Sequence, residues 1–267
     1  MEHSMTLVVF TFLSQLAIGG FAALFIMDAY KEKVSKKASS ISLMAILIVS
    51  VVAVIVSIFH LGHPLEAYKA ILNFNDSWLT REIVFFPTFI LFVFAYAFLA
   101  KNQKAKQTFG WIGTIVGAIT ILCTAMIYTI PSVPAWNNGT TMAAFFLTAL
   151  LLGPILIQLL VSVLEKKFVD FSLYTIIIAA IAVLVNVINL TILQGGYAES
   201  VETASILLTS PLFWAKMVFL VLAFAISGYS ILNKKVSSIK SASFIFVCFF
   251  VAEFIGRMLF YSSGVHL

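Results

Sequence analysis

Two imidazoles, a guanidinium and a carboxylate stand at the facing ends of two neighbouring apolar runs. His60 and His63 close one run in Ser57-Ile58-Phe59-His60-Leu61-Gly62-His63-Pro64, and Arg81 and Glu82 open the next in Trp78-Leu79-Thr80-Arg81-Glu82-Ile83. A histidine and a glutamate at one depth form a pair that can take up and release protons. Ionisable groups that face protein at the edge of a membrane are candidate functional groups by default. Plainer readings stay open for each residue alone. His60 could be an imidazole favoured by the dipole at a helix C-terminus, and Glu82 an exposed acid in a first helical turn, paired with Arg81.

Further polar groups interrupt later runs. Lys216 is the sixth residue of the seventh helix counted from Pro211 and either snorkels to the surface or lines a cavity. Glu253 and Arg257 are four apart and share one helical face, which reads as a structural ion pair. Asn186 and Asn189 suit hydrogen bonds across a helix interface. Gln15 and Tyr128 are candidates for lining the cavity around Glu82, as is Lys216. Cys123 and Cys248 sit inside apolar runs without companions, so neither a zinc site nor an iron–sulfur centre is expected in this chain. The histidines are His3, His60, His63 and His266, none of them mid-run. Two stacked haems are thereby excluded; on the residues alone, one haem at a single face held by His60 or His63 is not.

These groups need a scaffold, and composition names its class. Of 267 residues, 62% are hydrophobic and 10% charged, and mean hydropathy is +1.09. Soluble domains carry about 25% charged residues, so the chain is expected to be all-α and polytopic. Eight runs have the length to span: Met5–Ala29, Ile41–Leu61, Ile83–Ala100, Phe109–Ile130, Met142–Leu164, Phe171–Leu193, Leu212–Leu232 and Ser243–Ser262. Residues 1–267 read as one integral membrane domain, with the first run retained as a span. Pro64 and Ser210-Pro211 punctuate helix ends, Pro87 and Pro154 fall inside helices, and Gly113, Gly117 and Gly19-Gly20 offer close helix contacts. Loops after odd-numbered runs, with their flanks, hold twelve lysines; those after even-numbered runs hold only Lys69 and Arg81. The positive-inside rule then places both termini outside. The lysines are spread over short loops, so the charge of +5 is no nucleic-acid signal.

The pattern resembles the anchor subunit of the prokaryotic dimethyl sulfoxide reductase complex. The likeness runs through Gln15 with Gly19-Gly20-Phe21, His60-Leu61-Gly62 before Pro64, and Glu82-Ile83. It continues through Val133-Pro134 with Trp136, Gly153-Pro154, Gln194-Gly195, and Glu253 with Ile255-Gly256-Arg257 and Phe260-Tyr261. The resemblance implies a haem-free, eight-helix subunit of the cell membrane that oxidises menaquinol in anaerobic respiration. It implies an iron–sulfur subunit docked outside and a molybdopterin catalytic subunit beyond it. It ties the positions of His60 and Glu82 to menaquinol oxidation. His63 departs from the pattern, standing where other members can have a residue that does not titrate, and is a candidate to share the role of His60.

Quinol oxidation releases protons, which need an acceptor open to water, and electrons, which need a redox centre that this chain does not supply. A partner must supply it. The segments His63–Arg81, Pro131–Thr141 and Gly195–Ser210 are the expected docking surface, with Trp78 and Trp136 as aromatic anchors. Two rivals remain. An anchor for a molybdoenzyme that reduces polysulfide or another oxyanion would look the same, because the partner selects the acceptor. A small-molecule or ion transporter would need a polar site in mid-membrane, for which only Glu253, Arg257 and the two asparagines are available.

Overall fold

The computed structural model describes residues 2–31, 34–59, 73–99, 103–166, 169–233 and 238–266. Nine α-helices lie among the described residues: α1 (Glu2–Ile26), α2 (Lys36–Ile58), α3 (Trp78–Phe98), α4 (Gln103–Tyr128), α5 (Gly139–Glu165), α6 (Ser172–Gln194), α7 (Ala198–Thr209), α8 (Pro211–Leu232) and α9 (Ile239–Ser263). Eight are long and apolar enough to cross a membrane. The exception, α7, is a 12-residue helix that buries Ser200, Thr203, Ala204 and Leu207. The apolar runs do not disclose it, because a half-polar segment this short reads as a loop. A π-helical turn, Met27–Lys31, ends α1, and there Asp28 pairs with Lys106 and accepts from Tyr96 Oη at 2.8 Å.

The bundle is built around α1 and α5. One apolar cluster joins them to α2, α3 and α4 through residues such as Phe21, Ile46, Phe89 and Ile157. A second joins them to α6, α8 and α9 through Leu151, Ala179, Leu220 and Phe249. Lipid removes the usual contrast between inside and outside. Leu91, Phe98 and Leu184 are exposed, whereas Thr11, Ser42, Ser50, Thr120 and Ser227 are buried. Ser50 and Ser227 donate to carbonyls one turn back at 2.8 and 2.7 Å, so these two small residues face the interior without unmet donors.

α1 and α5 meet backbone to backbone at their glycines. A Cβ added at Gly153 would lie 2.1 Å from the Gly19 carbonyl carbon, and one at Gly19 would lie 2.0 Å from the Ala149 carbonyl oxygen. Gly113 and Gly117 instead admit Phe21 and Ile18 of α1.

Pro154 removes the amide that would serve the Leu150 carbonyl one turn earlier. The Tyr174 hydroxyl of α6 donates to that carbonyl at 2.6 Å, so the helix break doubles as an interhelical tie. Tyr174→Phe is expected to cost roughly 1–2 kcal/mol, since it strands an acceptor where no water replaces the donor. A lowered unfolding midpoint in detergent would show this; an unchanged midpoint would mean that the tie carries no stability.

Candidate functional site

Ser77 caps α3, its side chain accepting from the Thr80 amide at 3.3 Å. This starts the helix at Trp78 and sets Glu82 four residues in, about 6 Å below the helix end. Glu82 is 5% exposed, so its carboxyl faces the bundle interior rather than water. Arg81 does not neutralise it. The guanidinium turns to the preceding loop, where its Nε donates to the Phe74 carbonyl at 3.0 Å, and it stacks 4.1 Å above the Trp78 ring. The reading of Glu82 as an exposed, Arg81-paired acid is therefore replaced by a buried carboxyl held by α4.

That partner is Thr124, whose hydroxyl donates to Glu82 Oε1. Thr124 Oγ1 is also 3.0 Å from the Thr120 carbonyl. A hydroxyl has one hydrogen and two lone pairs. When Glu82 is ionised, Thr124 gives its hydrogen to the carboxylate. When Glu82 carries a proton, the carboxyl can donate to Thr124, which then serves Thr120. Neither state strands a buried donor, so the pair can accept and return a proton without rearranging the helices. Thr124 is one hydroxyl among many in the runs, and nothing in its local sequence distinguishes it.

One turn beyond Thr124, Tyr128 enters an aromatic group with Phe145, Trp136, Phe260 and Tyr261, at centroid distances of 5.2 to 5.8 Å. Across this group lies Arg257, 4% exposed, with its guanidinium 3.7 Å from the Phe145 centroid. Arg257 Nη2 donates to Gln15 Oε1 at 2.7 Å and to Thr148 Oγ1 at 3.1 Å, and Thr148 donates to Glu253 Oε2 at 2.6 Å. Glu253 and Arg257 thus communicate through the Thr148 hydroxyl, a relay that the four-residue spacing alone does not reveal. Gln15 is 1% exposed, and its Nε2 has no hydrogen-bond partner among the described residues. An unmet buried donor of this kind costs roughly 1–3 kcal/mol unless a ligand or water meets it.

The structure separates Lys216 from Glu82. Lys216 does not snorkel: its Nζ donates to Asn186 Oδ1 of α6 at 2.7 Å. It borders a cavity of about 100 Å³ between α5, α6, α8 and α9, with Glu253 and Arg257 but without Glu82, Gln15 or Tyr128. Trp136 and Thr203 also border this cavity. Asn189 accepts from Thr140 Oγ1 of α5 at 2.5 Å, so both asparagines make the interhelical bonds expected of them. Trp136 is not a free docking anchor. Its indole donates to the Phe260 carbonyl at 3.0 Å and stacks on that ring at 5.1 Å. His60 and His63 lie outside the described residues. Among the described residues no cluster of three or more His, Cys, Asp or Glu could hold a metal ion.

The chain is similar along its length to known proteins. A family model described as "DMSO reductase anchor subunit (DmsC)" matches residues 1–263. The anaerobic dimethyl sulfoxide reductase chain YnfH of Escherichia coli is 28% identical over 99% of this chain and 95% of its own length. An anaerobic dimethyl sulfoxide reductase chain of Haemophilus influenzae is 26% identical over the same shares. A sulfite dehydrogenase subunit of Allochromatium vinosum is 31% identical over 33% of this chain and 32% of its own.

Proposed function

Because the chain belongs to the DMSO reductase anchor subunit family, a family of multi-pass subunits of oxidoreductase complexes in the bacterial cell membrane, we propose that it is itself the quinol oxidiser of its complex. The observation that carries this reading is the buried Glu82 with its reversible contact to Thr124. A carboxyl in that setting receives a proton from a quinol hydroxyl and passes it on. His60, which falls between α2 and α3 in the sequence, hydrogen-bonds a quinol oxygen, and His63 shares that task. Gln15 brings an unmet amide donor and Tyr128 an aromatic wall. Lys216 falls outside this site, behind the aromatic group. The electrons pass to an iron–sulfur subunit docked at the face where α1 begins and α9 ends, and from there to a molybdopterin subunit. The lysine count puts that face outside the cell, so the protons are released there and this half-reaction builds no voltage. Menaquinol is the expected substrate. The docking surface is Trp78 with its loop, together with α7.

The local likeness to the sulfite dehydrogenase subunit supports a second reading, in which the same scaffold serves a partner with a different substrate. Purification of the complex from native membranes followed by metal analysis tests the first reading. Iron and molybdenum are expected to travel with the chain. The chain without either metal, in a preparation shown to retain its partners, would defeat the proposal. Cysteine labelling tests orientation: Asp76→Cys is expected to react from outside and Lys104→Cys only from the cytoplasm, and the reverse pattern would move proton release to the other side.

A further inference from the structure

The cavity beside Lys216 has a charge imbalance and a donor surplus. Three charged side chains border it, Lys216, Arg257 and Glu253, and their formal sum is +1. Glu253 is committed through Oε2 to Thr148, and Arg257 to Thr148 and Gln15. Lys216 has three N–H donors, of which Asn186 takes one. Asn189 also borders the cavity, its side-chain amide 2.5 Å from the Thr140 hydroxyl, whose one hydrogen is shared with Asn138 Oδ1. Lys216 is five residues from the start of α8, and Glu253 ten from the end of α9. Lys216 and Glu253 therefore lie about 8 and 15 Å below the helix ends, while Ser263, Thr140 and Trp136 carry the lining up to those ends. At such depth an uncompensated charge is costly and calls for a partner.

We infer that this cavity is a binding site for one small monovalent anion, held by Lys216, Asn189 and Arg257. The charge sum sets the valence, because a single negative charge brings the group to neutrality while Glu253 repels a second. The volume of about 100 Å³ suits a small ion. It accommodates a halide or an oxyanion as small as nitrate or formate, whereas pockets for ring-sized ligands run from about 300 Å³. The bound ion joins α6, α8 and α9 beneath α7. This site lies across the aromatic group from Glu82, and the inference does not depend on the quinol reading.

The test is thermal unfolding of the purified full chain in detergent. Chloride, nitrate and formate are each titrated against gluconate, a larger anion, at constant ionic strength. A saturable rise in the midpoint with at least one small anion is expected, since a ligand that binds the native state stabilises it by mass action. Lys216→Met brings the charge sum to zero and is expected to weaken the apparent affinity by at least about tenfold. Asn189→Leu removes a donor without changing charge and should weaken it less. Glu253→Gln keeps the acceptor for Thr148 but raises the sum to +2, so sulfate should then stabilise a chain that it does not stabilise in the unmutated form. A flat response to all three anions, or a response unchanged in Lys216→Met, overturns the inference. A response to a long-chain fatty acid alone would place a lipid carboxylate in the cavity and overturn the assignment to a small ion. Failure of sulfate to act on Glu253→Gln would refute the charge count.

Discussion

Glu82→Gln is expected to slow quinol oxidation by about 10²–10⁴-fold, the usual cost of removing a general base. Glutamine preserves the volume and still accepts from Thr124, so the helices stay in place and quinone binding survives. The rate falls because an amide cannot take the proton that a carboxylate takes. The measurement is quinol oxidation with an artificial one-electron acceptor, beside titration of a quinol-site inhibitor on the same membranes. Loss of turnover with retained inhibitor binding is the expected outcome. Two companions sharpen it. Thr124→Val removes the hydroxyl that answers both protonation states and should lower turnover less than Glu82→Gln does, with Thr124→Ser restoring it. His60→Leu should weaken inhibitor binding as well as turnover, because it deletes a contact to the quinol oxygen. Normal oxidation in a fully assembled Glu82→Gln complex would place the site elsewhere.

The largest structural effect is expected at the crossing of α1 and α5. Gly153→Ala places a methyl group where the Gly19 backbone already lies, 2.1 Å from its carbonyl carbon, and no side-chain rotation relieves that overlap. The two central helices must part, and both apolar clusters open with them. Overpacking usually costs about 1–3 kcal/mol. Here the obstacle is backbone on a neighbouring helix, so a loss above about 3 kcal/mol and failure to accumulate in the membrane are expected. Gly139→Ala is the control, since a Cβ there meets nothing within 4 Å. Size-exclusion profiles of fluorescently tagged protein would report both. A Gly153→Ala variant that accumulates and runs like the unmutated protein would contradict this packing.

The architecture was legible in the sequence because lipid makes the demand on length and apolarity uniform. Each of the eight runs became a helix, and Ser210-Pro211 does open α8. The depth of Glu82 was legible too, from its place at the head of a run. Its isolation from Arg81 was not, because a guanidinium can reach either a neighbouring carboxylate or the loop carbonyls, and only the fold of residues 73–77 decides. Gly19-Gly20 and Gly153-Pro154 stood out as motifs, but their meeting is a contact between residues far apart in the chain. The relay from Arg257 through Thr148 to Glu253 was hidden for the same reason. Lys216 shows the limit most plainly: its depth on the chosen face was readable, yet the aromatic group that divides it from Glu82 draws on four separate segments.

On the proposed function, this chain oxidises quinol with its protons leaving at the face bearing the termini. The most direct test uses right-side-out vesicles containing the assembled complex. Quinol is added with ferricyanide outside as an electron acceptor that takes no protons, and an impermeant pH dye reports the external medium. Prompt external acidification of two protons per quinol is predicted, insensitive to a protonophore and absent in Glu82→Gln. Quinol oxidation with no prompt external acidification, or with the protons appearing inside, would rule out quinol oxidation at that face.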